Sequence, residues 1–207
     1  IREVNAIAEV VRIFEDGDII HVSGDINPVQ DIEVINLELI LADQETVTKR
    51  LGNLKRAVRR GDKEAVVEYR GLQKISGELE IGKLANSVEL TEEERVAVKG
   101  MHLLTMKSIL YVLNKKAGAK NLDEEKDERW HSLIAYLDGL KAHYVVVDAG
   151  VEQELRDLAH DDKDQFRREF GVFDDGVDAL IKSGYDMLGL MTYFTTGVDE
   201  TRAWTIE

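Results

Sequence analysis

Asn114 and Asp148 each close an apolar run, KSILYVL before the first and HYVVV before the second. An amide that both donates and accepts, set at the end of a strand, can meet a purine edge. The stem of Lys115 can lie across a base face while its ammonium stays in water. The backbone N–H of Ala149 can bond a purine exocyclic group. Ligands of open α/β sheets gather beyond the carboxyl ends of the strands, where all four residues would fall. The same residues also suit a plainer role, because polar residues follow most strands and form turns.

A second constellation is basic. Residues 49–63 hold Lys49, Arg50, Lys55, Arg56, Arg59, Arg60 and Lys63, with Asp62 the one acid among them. Against a net charge of −14 this island fits contact with RNA or another polyanion. It equally fits a solvated helix end, where cations complement the C-terminal dipole.

Gly77-Glu78-Leu79-Glu80-Ile81-Gly82-Lys83 matches the spacing of a phosphate loop. The chemistry does not follow the spelling. Such a loop must leave a strand and open a helix, whereas these residues end a helical pattern. Leu84 replaces the hydroxyl that would hold Mg²⁺, and Glu78 and Glu80 would repel phosphate. His21, His102, His131, His143 and His160 include no i, i+4 pair, so no metal site is expected. Asp161, Asp162 and Asp164 read as a solvated flank, and Trp130 and Trp204 as core. No Ser–His–acid set is visible, and no catalytic residue is assigned.

The elements that would position these residues alternate. Residues 4–14 read as a buried strand and 19–22 as a small β excursion. Asn27-Pro28-Val29-Gln30 is a capping box with Pro at the first helical position, so a long helix starts there. Leu37, Ile40, Val47, Leu51, Leu54 and Val58, with Gln44 in the gap, form an a/d seam. Gly61-Asp62 stops that helix and caps the next, whose seam is Ala65, Tyr69, Leu72 and Leu79. The pair predicts an antiparallel hairpin, weakened by Gly52, Gly71 and Gly77. Thr91 to Glu94 opens a helix to about Gly100. Strands are expected over 107–113 and 143–147, and helices over 123–140, 152–170 and 176–188, the last capped by Asp174 or Asp175. Residues 190–195 and 201–206 read as two strands of a further β unit. Buried strands alternating with helices argue for a parallel α/β sheet.

Composition bounds the rest. The 207 residues are 43% hydrophobic and 33% charged, as in a globular protein. There is no cysteine, which excludes disulfides, zinc–thiolate sites and a thiol nucleophile. No apolar run nears the ~20 residues that span a bilayer, and no signal peptide is visible, so the cytosol is the default. The chain starts at Ile1 without Met and stops within a β-like run, and it reads as a piece of a longer polypeptide.

IREVNAIAEVVRIFEDGDIIHVSGDINPVQDIEVINLELILAD (residues 1–43) resembles the segment after switch II in the YchF-type GTPases, Obg-related P-loop nucleotide hydrolases. GYDMLGLMTYFTTGVDETRAWTI (184–206) is similar to that family's passage into its C-terminal TGS domain. The resemblance implies an α/β fold. Part of a Ras-like P-loop NTPase parallel sheet would carry an inserted coiled-coil hairpin and the start of a β-grasp TGS domain. It divides the chain into nucleotide-binding domain (1–27), inserted hairpin (28–104), the base-recognition half of the nucleotide-binding domain (105–189) and the TGS start (190–207). It implies hydrolysis of ATP in preference to GTP, Mg²⁺ bound with the nucleotide in the full-length protein but not in this stretch, and ribosome or ribosomal-RNA association. Neither membrane nor sequence-specific DNA is an expected partner.

The family's base motif, Asn-x-x-Glu, matches here at Asn114, with Lys115 in the next base-contacting position and Ala117 in place of the acid. Asp148-Ala149 stand where relatives carry Ser-Ala or Cys-Ala. Ala117 cannot accept guanine's two hydrogen bonds, and Asp148 could favour an adenine amino group, so guanine is not expected to be selected. Two readings follow. One is a segment of a nucleotide hydrolase, inactive by itself without the phosphate loop. The other is a degenerate interaction module working through the basic hairpin.

Overall fold

The Asn27 amide starts the longest element. Its Oδ1 accepts the Gln30 N–H at 3.2 Å, and its Nδ2 donates to Gln30 Oε1 at 3.4 Å. Pro28 follows at the first helical position, where a missing N–H costs nothing. In the computed structural model, which describes residues 2–15, 26–156, 158, 162–163 and 176–206, this helix is α1, Pro28–Arg59. The chain forms two compact units, Ile1–Ile7 with Ile32–Ser108 and Ala8–Asp31 with Ile109–Glu207.

The first unit is helical. Gly61, at φ +79°, takes the left-handed turn after α1. Asp62 then caps α2, Lys63–Glu80, accepting the Ala65 N–H at 3.1 Å. Ile40, Val47 and Leu54 of α1 pack with Ala65, Leu72, Ile75 and Leu79 of α2, so the expected hairpin is present. Most of the expected α1 seam is present, with Ile40, Val47 and Leu54 buried and Leu51 and Val58 packed against them. Leu37 is the exception, 51% exposed, and the buried stripe of α1 also takes in Ile32, Asn36 and Asp43. Asp43 is fully buried because its Oδ2 accepts the Thr105 N–H at 2.7 Å and the Thr105 hydroxyl at 2.8 Å. A carboxylate so served can occupy a position that the pattern reserves for an apolar residue.

α3, Glu92–Lys99, opens with the expected capping box between Thr91 and Glu94. Lys74 of α2 reaches Glu94 at 2.6 Å. That ammonium, with the Thr91 N–H, holds the Glu94 carboxyl below the usual carboxylate range. α3 lies close to α2 at Gly71, where an added Cβ would stand 3.1 Å from Val98 Cγ1 and 3.3 Å from Glu94 Cβ. Around Gly77 there is nothing within 4 Å. The two helix glycines should therefore answer oppositely. Gly77→Ala is expected to stabilise the protein by about 0.5–1 kcal/mol through helix propensity. Gly71→Ala should lose about 1 kcal/mol net, because overpacking outweighs the same gain. Urea melts followed by circular dichroism compare them, and equal stabilisation by both would overturn the close approach.

The second unit carries the sheet. β3, Ser108–Asn114, and β5, His143–Val147, run parallel, with Leu110 opposite His143 and Asn114 opposite Val147. The order is β1-β3-β5, with β1 spanning Ala6–Arg12. Along β1, Glu9 and Val11 are buried while Ala8 and Val10 are exposed, so this strand is not the both-faces-buried run its composition suggested. A short antiparallel pair joins β2, Phe14–Glu15, to β4, Lys120–Asn121.

The expected helix over 123–140 is two. α4, Leu122–Glu125, ends at Lys126 in the left-handed region, φ +49°. Asp127 then caps α5, Glu128–Gly139, accepting from the Arg129 and Trp130 N–H groups. α6, Ala149–Leu155, follows β5 directly. α7, Gly176–Leu188, leads to the antiparallel hairpin of β6, Met191–Thr196, and β7, Thr201–Ile206. The expected β excursion at 19–22, the stretch 164–170 of the helix read over 152–170, the caps at Asp174 or Asp175, and His21, His160, Asp161 and Asp164 lie outside the described residues.

Candidate functional site

Parallel pairing of β3 with β5 brings Asn114 and Val147 level, so the two polar strand ends meet. The Ala149 N–H donates to Asn114 Oδ1 at 3.0 Å. This bond fixes the orientation of the amide through its oxygen. The N–H expected to meet a purine exocyclic group thus bonds Asn114 in this structure.

Asp148 is 5% exposed, and its Oδ1 accepts the Val151 N–H at 3.0 Å, which makes it the N-cap of α6. Its Oδ2 accepts the Ala117 N–H at 2.5 Å. The carboxylate thus ties the loop after β3 to the start of α6. The Ala117 side chain packs on Val151 and Leu155 of α6.

Asn121 holds the other side of that loop. It is 2% exposed, accepts the Lys116 N–H at 3.0 Å, and donates to the carbonyls of Lys116 at 3.0 Å and Ala119 at 3.2 Å. Lys115 leans on the acidic start of α4, with Nζ 3.8 Å from both Asp123 Oδ2 and Glu124 Oε1. Burial raises the Asp123 carboxyl pKa above its ordinary value. Asn114 and Lys115 are half-buried, Ala149 exposed, and all four expected residues fall within one strand-end cluster.

No protein-family model matches the chain. The ribosome-binding ATPase YchF of Bacillus subtilis is 46% identical over 207 residues, covering all of this chain and 56% of that protein. The protein of the same name from Escherichia coli O157:H7 is 40% identical over 210 residues, covering the same 56%. A solved structure, the Schizosaccharomyces pombe YchF GTPase, superposes with a TM-score of 0.82 at 27% identity over 99% of this chain. The chain matches the YchF family over its whole length. It spans about half the length of the YchF relatives it matches.

Within this YchF-like segment the basic island is a surface. Lys49, Arg50, Lys55, Arg56 and Arg59 are exposed on α1, Arg60 is exposed in the turn after it, and Lys63 begins α2. Arg50 differs from the other six. Its guanidinium makes a bidentate pair with Glu68 at 2.6 and 2.7 Å, which fastens α1 to α2. The other six make no ion pair among the described residues. The phosphate-loop spelling falls at the end of α2, with Gly82 in the turn at φ +76°, as its flanking sequence required. Among the described residues no three His, Cys, Asp or Glu side chains converge.

Three positioning residues escaped the sequence reading. Asp148 before a helical run was legible as an N-cap. Asn121 gave only a weak turn signal, and its seven-residue distance from Asn114 carried no register. Asp43 sat among alternatives that fitted the heptad better.

Proposed function

We propose that this chain is the base-binding and helical-hairpin part of a YchF-type nucleotide hydrolase that works on the ribosome. Supporting this is the bond from the Ala149 N–H to Asn114 Oδ1 where two parallel strands end level, in a chain 46% identical to a ribosome-binding ATPase. Asn114 would donate through Nδ2 to a purine ring nitrogen, and the Lys115 stem would cover the base. Asp148 and Asn121 would hold the loop rather than touch the base. Phosphate contacts and Mg²⁺, the electrostatic part of phosphoryl transfer, would come from the portion of the YchF length that this chain does not span.

ATP should be bound at least as well as GTP, because Ala117 supplies no acceptor for guanine. Competition between the two nucleotides on a full YchF-length protein tests this. Tenfold tighter GTP binding, about 1.4 kcal/mol, would overturn it.

The second reading, a non-hydrolysing module acting through the hairpin, draws on the six unpaired cations of the basic island. Both readings place that island on a polyanion. R56E/R59E/R60E should therefore weaken ribosome association and flatten its salt dependence. Unchanged association would leave the island as a solvated helix end. Hydrolysis retained by the same variant would separate the first reading from the second.

A further inference from the structure

A groove of about 620 Å³ runs between α2 and α3. Its floor is Val67, Val96 and Ala97, and Glu64, Glu92 and Glu93 stand around it. Val96 is 64% exposed, although α3 buries Glu94 and Val98 on its other side. A β-branched side chain on an exposed helix face adds nothing to helix stability. The three carboxylates make no ion pair among the described residues. Glu68 also lines the groove, but Arg50 neutralises it, and Lys63 is the only cation there. Each free carboxylate suits the first turn of its own helix. That accounts for the acids, not for the apolar floor they surround. The walls are fixed in advance by the Thr91–Glu94 capping box, the Lys74–Glu94 pair and the close approach at Gly71.

We propose that this groove docks a positively charged polypeptide segment carrying an aliphatic anchor. The anchor would cover Val96 and Val67, and flanking Lys or Arg side chains would meet Glu64, Glu92 and Glu93. The carboxylates exclude a nucleic-acid backbone, whose phosphates they would repel. The basic island ends at Lys63 on the rim of the groove, so one hairpin offers adjoining surfaces of opposite sign. Their complement is a partner in which phosphate and basic polypeptide lie side by side. The inference shares the hairpin with the proposed function but needs no nucleotide, so it can fail or stand independently of the base site.

The test is fluorescence anisotropy of a labelled 15-residue amphipathic Leu/Lys peptide titrated with this chain in the absence of nucleotide. Glu92→Gln with Glu93→Gln should weaken binding at least fivefold, and Val96→Glu at least tenfold. Glu38→Gln with Glu45→Gln, the same charge change at exposed sites on α1, should leave binding within twofold. A peptide of equal composition with its leucines scattered should bind at least fivefold more weakly. Equal losses from the two double variants would mean attraction to net charge alone and would overturn the groove. So would unchanged binding by Val96→Glu, or displacement of the peptide by a single-stranded RNA oligomer.

Discussion

Replacing Asp43 by alanine is expected to cost the helical unit about 3–4 kcal/mol, a large share of the 5–15 kcal/mol that holds a typical domain together. The side chain is fully buried at the middle of a 32-residue helix and serves Thr105 twice, at 2.7 and 2.8 Å. Truncation leaves the Thr105 N–H and hydroxyl buried without an acceptor, and each such orphan costs about 1–3 kcal/mol. Arg2 adds little, because its Nη1 lies 3.5 Å from Oδ1 and its side chain is 42% exposed. Asp43→Asn, which keeps one acceptor, should lose less than half as much, and Arg2→Ala about 0.5 kcal/mol or less. Chemical denaturation of the three variants orders them. A loss below 1 kcal/mol for Asp43→Ala would mean that water reaches Thr105 once the carboxylate is gone.

Asp43 also shows where a sequence stops being legible. The helix starts, the hairpin turn and the capping box were readable because each is a local pattern with its own hydrogen bonds. Asn27, Asp62 and Thr91 accept where expected. The strand β3 was readable because burial on both faces leaves an unbroken apolar run, and β5 was readable from its Val145–Val147 run although His143 and Tyr144 are exposed. The α1 seam was legible at Ile40, Val47, Leu51, Leu54 and Val58 but not at Asn36 and Asp43. Leu37 and Gln44 look like better heptad members than Asn36 and Asp43, and only Thr105, 62 residues away, makes an aspartate the right choice at 43. The split between α4 and α5 was missed because no propensity announces a left-handed Lys126. At the strand ends the sequence singled out four residues but not their partners. Spacing along one chain cannot say that Asp148 bonds Ala117 across 31 positions.

That last contact makes the second large prediction. Asp148→Ala should weaken both ATP and GTP at least tenfold in a full YchF-length protein, and by the same factor for each. The residue caps α6 through the Val151 N–H, and a lost N-cap costs about 1 kcal/mol. Its loss also leaves the Ala117 N–H unserved and frees the loop that follows Asn114 and carries Lys115. Asn114 would then no longer be held opposite Ala149 in one geometry. Asp148→Ser separates the two duties, since serine can still cap α6 but cannot reach Ala117 as a charged acceptor. It should recover helix stability and only part of nucleotide affinity. Equilibrium binding of fluorescent ATP and GTP analogues decides between strut and base contact. A strut loses both nucleotides equally, because nothing it touches differs between adenine and guanine. A direct contact to an adenine amino group would lose ATP several-fold more than GTP, and that outcome would return Asp148 to the base-reading role its position in the sequence first suggested.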